Sequence, residues 1–91
     1  VLHDEDARLA DALLAASMDS AALTVRRNEP YGPSDGVTHT LKEHALPHGH
    51  LNVMLEVRND LIASSTDQVA MAETLAGWLQ TALATTKANA C

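Results

Sequence analysis

The chain has 91 residues, enough for one small domain, and a domain of that size buries a smaller share of its surface than a larger one. Six Lys and Arg against twelve Asp and Glu give a formal charge of -6 with no basic run, which argues against a phosphate-binding surface and a nucleic-acid partner. Hydrophobic residues make up 46% but include only two aromatics, Tyr31 and Trp78, and no apolar run reaches the roughly 20 residues of a membrane span, so a soluble, cytoplasmic chain is expected.

Val1 and Leu2 read as the tail of an apolar element that begins before this sequence does. Asp4, Glu5 and Asp6 follow, placing negative charge where a helix macrodipole favours it. Leu9, Ala10, Leu13, Leu14 and Ser17 then recur at helical spacing, which predicts a helix over about 5–17. Residues 22–26, ALTVR, are a β-prone run, and the stretch after them, NEPYGPSDG at 28–36, is packed with turn formers. A strand ending in a long loop is the expectation. Thr38 can cap a short helix, THTLKEHAL, which Pro47 and Gly49 stop with a breaker and a left-handed cap.

Residues 51–62, LNVMLEVRNDLI, carry the strongest pattern. Leu51, Val53, Leu55 and Val57 point one way, and Asn52, Met54, Glu56 and Arg58 the other. Both faces are mostly apolar up to Glu56, the mark of a central strand covered on both sides, usually in a parallel sheet. A helix between two strands makes a βαβ unit, so strands 22–26 and 51–57 are expected to run parallel, with loop 28–36 and Glu56 on the same sheet edge. Beyond Ile62, Ser65 and Gln68 have the capping-box spacing, and Ala72, Leu75, Ala76, Leu79, Ala82 and Leu83 form an apolar stripe, predicting a helix to about residue 86 and a frayed tail. Cys91 is alone and can form no internal disulfide.

Ligand crevices of parallel sheets lie outside the carboxyl ends of the strands, which is where Glu56 and Arg58 are expected, about 6 to 7 Å apart on one face. Glu56 is the leading catalytic candidate, because a carboxylate ending an apolar strand is costly unless it is used or paired. Spacing leaves open whether it instead forms a structural pair with Arg58. His44 and His48 have the i,i+4 spacing of a zinc pair, but Pro47 and Gly49 end the helix there and a catalytic zinc needs three protein ligands. No GxSxG elbow and no glycine-rich phosphate loop occurs, which removes serine hydrolase and nucleotide-binding readings.

The segment 28–62 resembles the C-terminal part of the N-formylglutamate amidohydrolase family. The likeness rests on an Asn-x-Pro-Tyr loop, an Asp-Gly-Val-Thr step, a helix carrying His44 and a stretch ending in Glu-x-Arg-x-Asp-Leu; HDEDARL near the start and the last helix extend it over nearly the whole chain. The resemblance implies a three-layer α/β fold, mostly parallel, similar to zinc-dependent exopeptidases, of which this chain would be a partial α-β-α-β-α piece within one amidohydrolase domain. It implies zinc-dependent hydrolysis of an N-formyl or N-acyl amino acid, with the zinc ligands upstream of these residues and none within them. Glu56 is then similar to the glutamate that serves carboxypeptidases as general base, and Arg58, His44 and Tyr31 match substrate-binding positions. His48 and His50 match no role in that family. The expected partners are a small N-acyl amino acid and the rest of the domain or a complementary chain. The alternative is a non-catalytic fragment or interaction module that packs on a partner.

Overall fold

A computed structural model describes residues 1–18, 23–29 and 31–88. Three α-helices dominate it: α1 (Arg8–Ser17), α2 (His39–His44) and α3 (Ser65–Ala88). Short 3-10 turns lie at Pro33–Asp35, Leu46–His48 and Asn59–Ile62.

α1 starts later than the acidic run suggests. Asp6 accepts the Arg8 backbone N–H at 3.1 Å, satisfying one of the unpaired donors of the first turn. Asp4 instead accepts the Thr38 hydroxyl, so the side chain expected to cap α2 is spent on joining α2 to the chain start. Thr38 is correspondingly buried. α2 stops after His44, and Gly49 takes a positive φ of 68° after Pro47, as the breaker pair predicts.

α3 is capped by Ser64, one residue before the serine that the capping-box spacing suggests: its Oγ accepts the Asp67 N–H at 3.1 Å. The Gln68 amide reaches back to the Ile62 carbonyl rather than to Ser65. The inward edge of α3 runs through Met71, Leu75, Trp78, Leu79 and Ala82, whereas Ala72, Ala76 and Leu83 are exposed. Relative to the expected stripe the helix is turned so that Trp78 faces inward. The tail ahead of residue 89 is helical, and Asn89, Ala90 and Cys91 lie outside the described residues.

The core sits between α1 and α3. Leu9, Ala12 and Leu13 meet Ala82, with Leu51, Val53, Leu55, Trp78 and Leu79 packed around them. Small residues on both helices, Ala12 and Ala82, allow close approach at the contact. The odd-numbered face of 51–55 is therefore the one that meets the helices, in keeping with its period-two pattern.

The expected three-layer α/β architecture with a mostly parallel sheet is overturned. Among the described residues there is no strand, only one antiparallel bridge between Leu2 and Met54, with N–H to carbonyl distances of 2.8 and 2.9 Å. Residues 51–57 are extended without a continuous pairing neighbour. Of the other expected strand, Ala22 lies outside the described residues and 23–26 are irregular. Val1 sits between the two segments: its nitrogen donates to the Arg26 carbonyl at 2.9 Å and its carbonyl accepts the Asn28 N–H at 2.8 Å, the pattern of one parallel rung. Since Leu2 pairs antiparallel with Met54, the segments near 26 and 54 run in opposite directions, and no βαβ unit links them. Burial on two faces explains the apolar pattern of 51–57; backbone pairing is a separate requirement that the pattern does not report.

Candidate functional site

Residues 23–26 and 55–58 form the two banks of a groove of about 580 Å³, closed at one end by Val1 and floored by Leu13, Leu75 and Trp78. Glu56 and Arg58 both line it, as does Glu29 from the loop at 28–36. Tyr31 and His44 do not line it; Tyr31 is half exposed and His44 is exposed on α2. Of the four residues named from the sequence, the fold brings only Glu56 and Arg58 together. With no parallel sheet present, Glu56 is not at the carboxyl edge of one, and its placement rests on the groove instead.

The structural pair between Glu56 and Arg58 is not formed. Arg58 holds Asp60 in a two-pronged contact, Nε to Oδ1 at 2.6 Å and Nη2 to Oδ2 at 2.9 Å. That hydrogen bonding holds the Asp60 carboxyl below its usual range and raises Arg58, both fully exposed to water. Exposed pairs of this kind contribute little to stability. Glu56 has no hydrogen bond or ion pair among the described residues. Its charge is felt at the Val1 amino group, whose pKa is lowered by burial and partly restored by the Glu56 carboxylate. The guanidinium fork of Arg58 would have to leave Asp60 to grip a substrate carboxylate.

Two groove residues went unnoticed in the sequence. Arg26 and Glu29 pair at 3.4 Å along the 23–29 bank, both well exposed. Their i,i+3 spacing was visible, but outside a helix it has no fixed meaning. The loop is anchored by Asn28, which has a φ of 50° and whose side-chain oxygen accepts the His3 N–H at 3.0 Å. His3 Nδ1 donates to the Asp4 carbonyl, leaving Nε2 as the acceptor facing Asn28 and Arg27. Arg27 in turn bridges to Asp11 on α1 at 2.6 Å. This chain of contacts latches the start of the loop onto the beginning of the chain and onto α1.

No group of three His, Cys, Asp or Glu that could hold a metal occurs among the described residues. His48 and His50 are neighbours, with ring centroids 5.7 Å apart and tilted by 36°, but have no third ligand beside them. The described residues therefore do not bring together the three donors that a catalytic zinc needs. Among the described residues no helix is long and apolar enough to cross a membrane.

No family model matches the chain, and no curated protein does. Among solved structures it is similar to the crystal structure of gene product Atu2144 from Agrobacterium tumefaciens, at a TM-score of 0.89 and 59% identity over 94% of this chain and 34% of that one. The chain thus spans about a third of the length of the solved protein it matches.

Proposed function

We propose that this chain contributes one side of an amidohydrolase site acting on a small N-acyl amino acid, N-formylglutamate-like, in the cytoplasm. The observation that carries the reading is Glu56: an exposed carboxylate where an apolar extended segment ends, free of any ion pair among the described residues because Arg58 is engaged by Asp60. The Glu-x-Arg-x-Asp-Leu resemblance is what gives that carboxylate a chemistry. Glu56 would take a proton from the attacking water and deliver it to the departing nitrogen. Arg58, once released from Asp60, would grip the substrate carboxylate, with His44 and Tyr31 reaching the substrate from other elements.

Zinc belongs to this reading as a group whose ligands the resemblance puts upstream, in keeping with the lack of a three-donor group among the described residues. The 91-residue chain by itself should hydrolyse nothing and bind zinc weakly. In a longer protein that joins this chain to the zinc ligands, Glu56→Gln keeps the size and most hydrogen bonding of the side chain but cannot accept the proton. There kcat should fall by about 10² to 10⁴ with zinc content and melting temperature unchanged. A folded, zinc-loaded Gln variant with near-normal turnover would end the assignment.

A second reading, a non-catalytic module that packs on a partner, is favoured by the apolar groove floor and by Val69 and Leu83, which α3 leaves 58% and 46% exposed. Zinc and turnover measured on the longer protein separate the two: about one zinc per chain with amidase activity supports the enzyme, and neither supports the module.

A further inference from the structure

The groove has the hydrogen-bonding pattern of a vacant strand position. Val1 makes a parallel rung with residues 26–28 on one bank, and Leu2 makes an antiparallel rung with Met54 on the other. Both patterns repeat every two residues. Continued into the groove, the next rung on the first bank needs the Arg26 N–H and the Thr24 carbonyl, and the next on the second needs the N–H and carbonyl of Glu56. None of these four groups has a backbone partner among the described residues. Thr24, Arg26 and Glu56 are exposed, so water can reach these groups, and an extended peptide is the ligand that would pair all four together.

The size agrees. An extended residue in a covered sheet occupies roughly 160 Å³, from a strand spacing near 4.8 Å, a layer thickness near 10 Å and a rise near 3.4 Å. The cleft of about 580 Å³ therefore accepts three to four residues. Its floor of Leu13, Leu75 and Trp78 calls for apolar side chains at every second position, in register with Val1. The positions between them share a face with Glu56, where a basic or neutral side chain fits and an acidic one does not.

We propose that the groove is the seat of one extended segment joined to the Val1 nitrogen, running antiparallel to residues 55–58 and parallel to 23–26. The chain direction at Val1, set by its rung with residues 26–28 and by the Leu2–Met54 bridge, leads a residue joined to its nitrogen in between the two banks. The seat takes up the Glu56 main chain, and the residue before Val1 would stand beside its side chain.

The test places the short extension Lys-Val-Thr-Val-Lys ahead of Val1 and follows amide hydrogen exchange by NMR. Exchange at the Glu56 and Arg26 amides should slow by about tenfold or more, and the melting temperature should rise, because both N–H groups leave solvent for a strand partner. The same extension with Pro in place of both Val keeps the carbonyls but loses the N–H that would meet the Thr24 carbonyl within the paired stretch, so protection and melting temperature should both be clearly lower than with Val. Unchanged exchange at these two amides in a folded, monomeric extended protein would overturn the proposal, and so would equal protection from the Pro version. Failure of the Val extension to fold while the Pro version folds would count against it equally. Adding the free peptide to the unextended chain is the last arm: protection in trans at micromolar peptide, without protection from the extension, would show that the occupant is a separate molecule and refute the covalent seat.

Discussion

Leu13 sits at the junction of the α1–α3 core and the groove, which makes Leu13→Ala informative about both. Its side chain is 2% exposed, and it packs with Leu9, Ala12 and Ala82 while also forming part of the groove floor. Leu→Ala in a closed core costs about 2 to 5 kcal/mol, the spread being set by the void left behind. At Leu13 the new void opens into space that water already reaches, so the lower part of that range applies, about 2 to 3 kcal/mol. Leu9, 7% exposed in the same cluster, does not line the groove, so its void does not open into it and truncation should cost about 3 kcal/mol or more. For a domain of this size each kcal/mol moves the melting temperature by about 4 to 8 °C, so thermal melts followed by helical circular dichroism resolve the difference. The order should reverse in the protein extended into the groove, where a seated strand encloses the Leu13 site. A loss below about 1 kcal/mol for Leu13→Ala, or a larger loss than for Leu9→Ala in the unextended chain, would refute this account of the core.

Three further outcomes are expected. The Asp6 carboxyl is held below its ordinary 3.8, chiefly by its hydrogen bonds from Arg8. The unfolded chain therefore binds more protons near that pH, so the contribution is fully present above 3.8 and is lost as pH falls through the lower folded value. The melting-temperature gap between wild type and Arg8→Ala should accordingly close on acidification below about pH 4. Asn52→Leu removes a buried side-chain oxygen that has no partner, at the cost of one bond to the exposed His50 carbonyl at 2.8 Å, so stability should be unchanged or higher in a denaturant titration; a loss above about 2 kcal/mol would mean the oxygen is satisfied. Ser64→Ala removes the α3 cap and should cost about 1 kcal/mol by the same titration, whereas Ser65→Ala should cost little.

What could be read in the residues alone was local. Helical spacing located α1 and α3, and the Pro47 and Gly49 pair marked the stop after α2; the two-residue alternation of 51–57 marked an apolar, non-helical segment but left both of its faces equivalent, and the fold alone turns the odd-numbered one toward the helices. These depend on interactions within a few residues, where composition and period carry the information. Pairing is different, because the partner of a strand lies far away in sequence. That residue 26 and residue 54 run in opposite directions with Val1 between them was decided by contacts across 25 and 52 positions of chain, and no pattern inside either segment encodes them. The same holds at the candidate site. Glu56 stood out as a charge on an apolar segment, but whether Arg58 would pair with it depended on which carboxylate the turn at Asn59–Ile62 brought nearer. That turn delivers Asp60, and so leaves Glu56 free. Glu29, Arg26 and Trp78 joined the groove only because the latch through Asn28 and the rotation of α3 put them there, and the cost of burying one face rather than another is set by the whole fold.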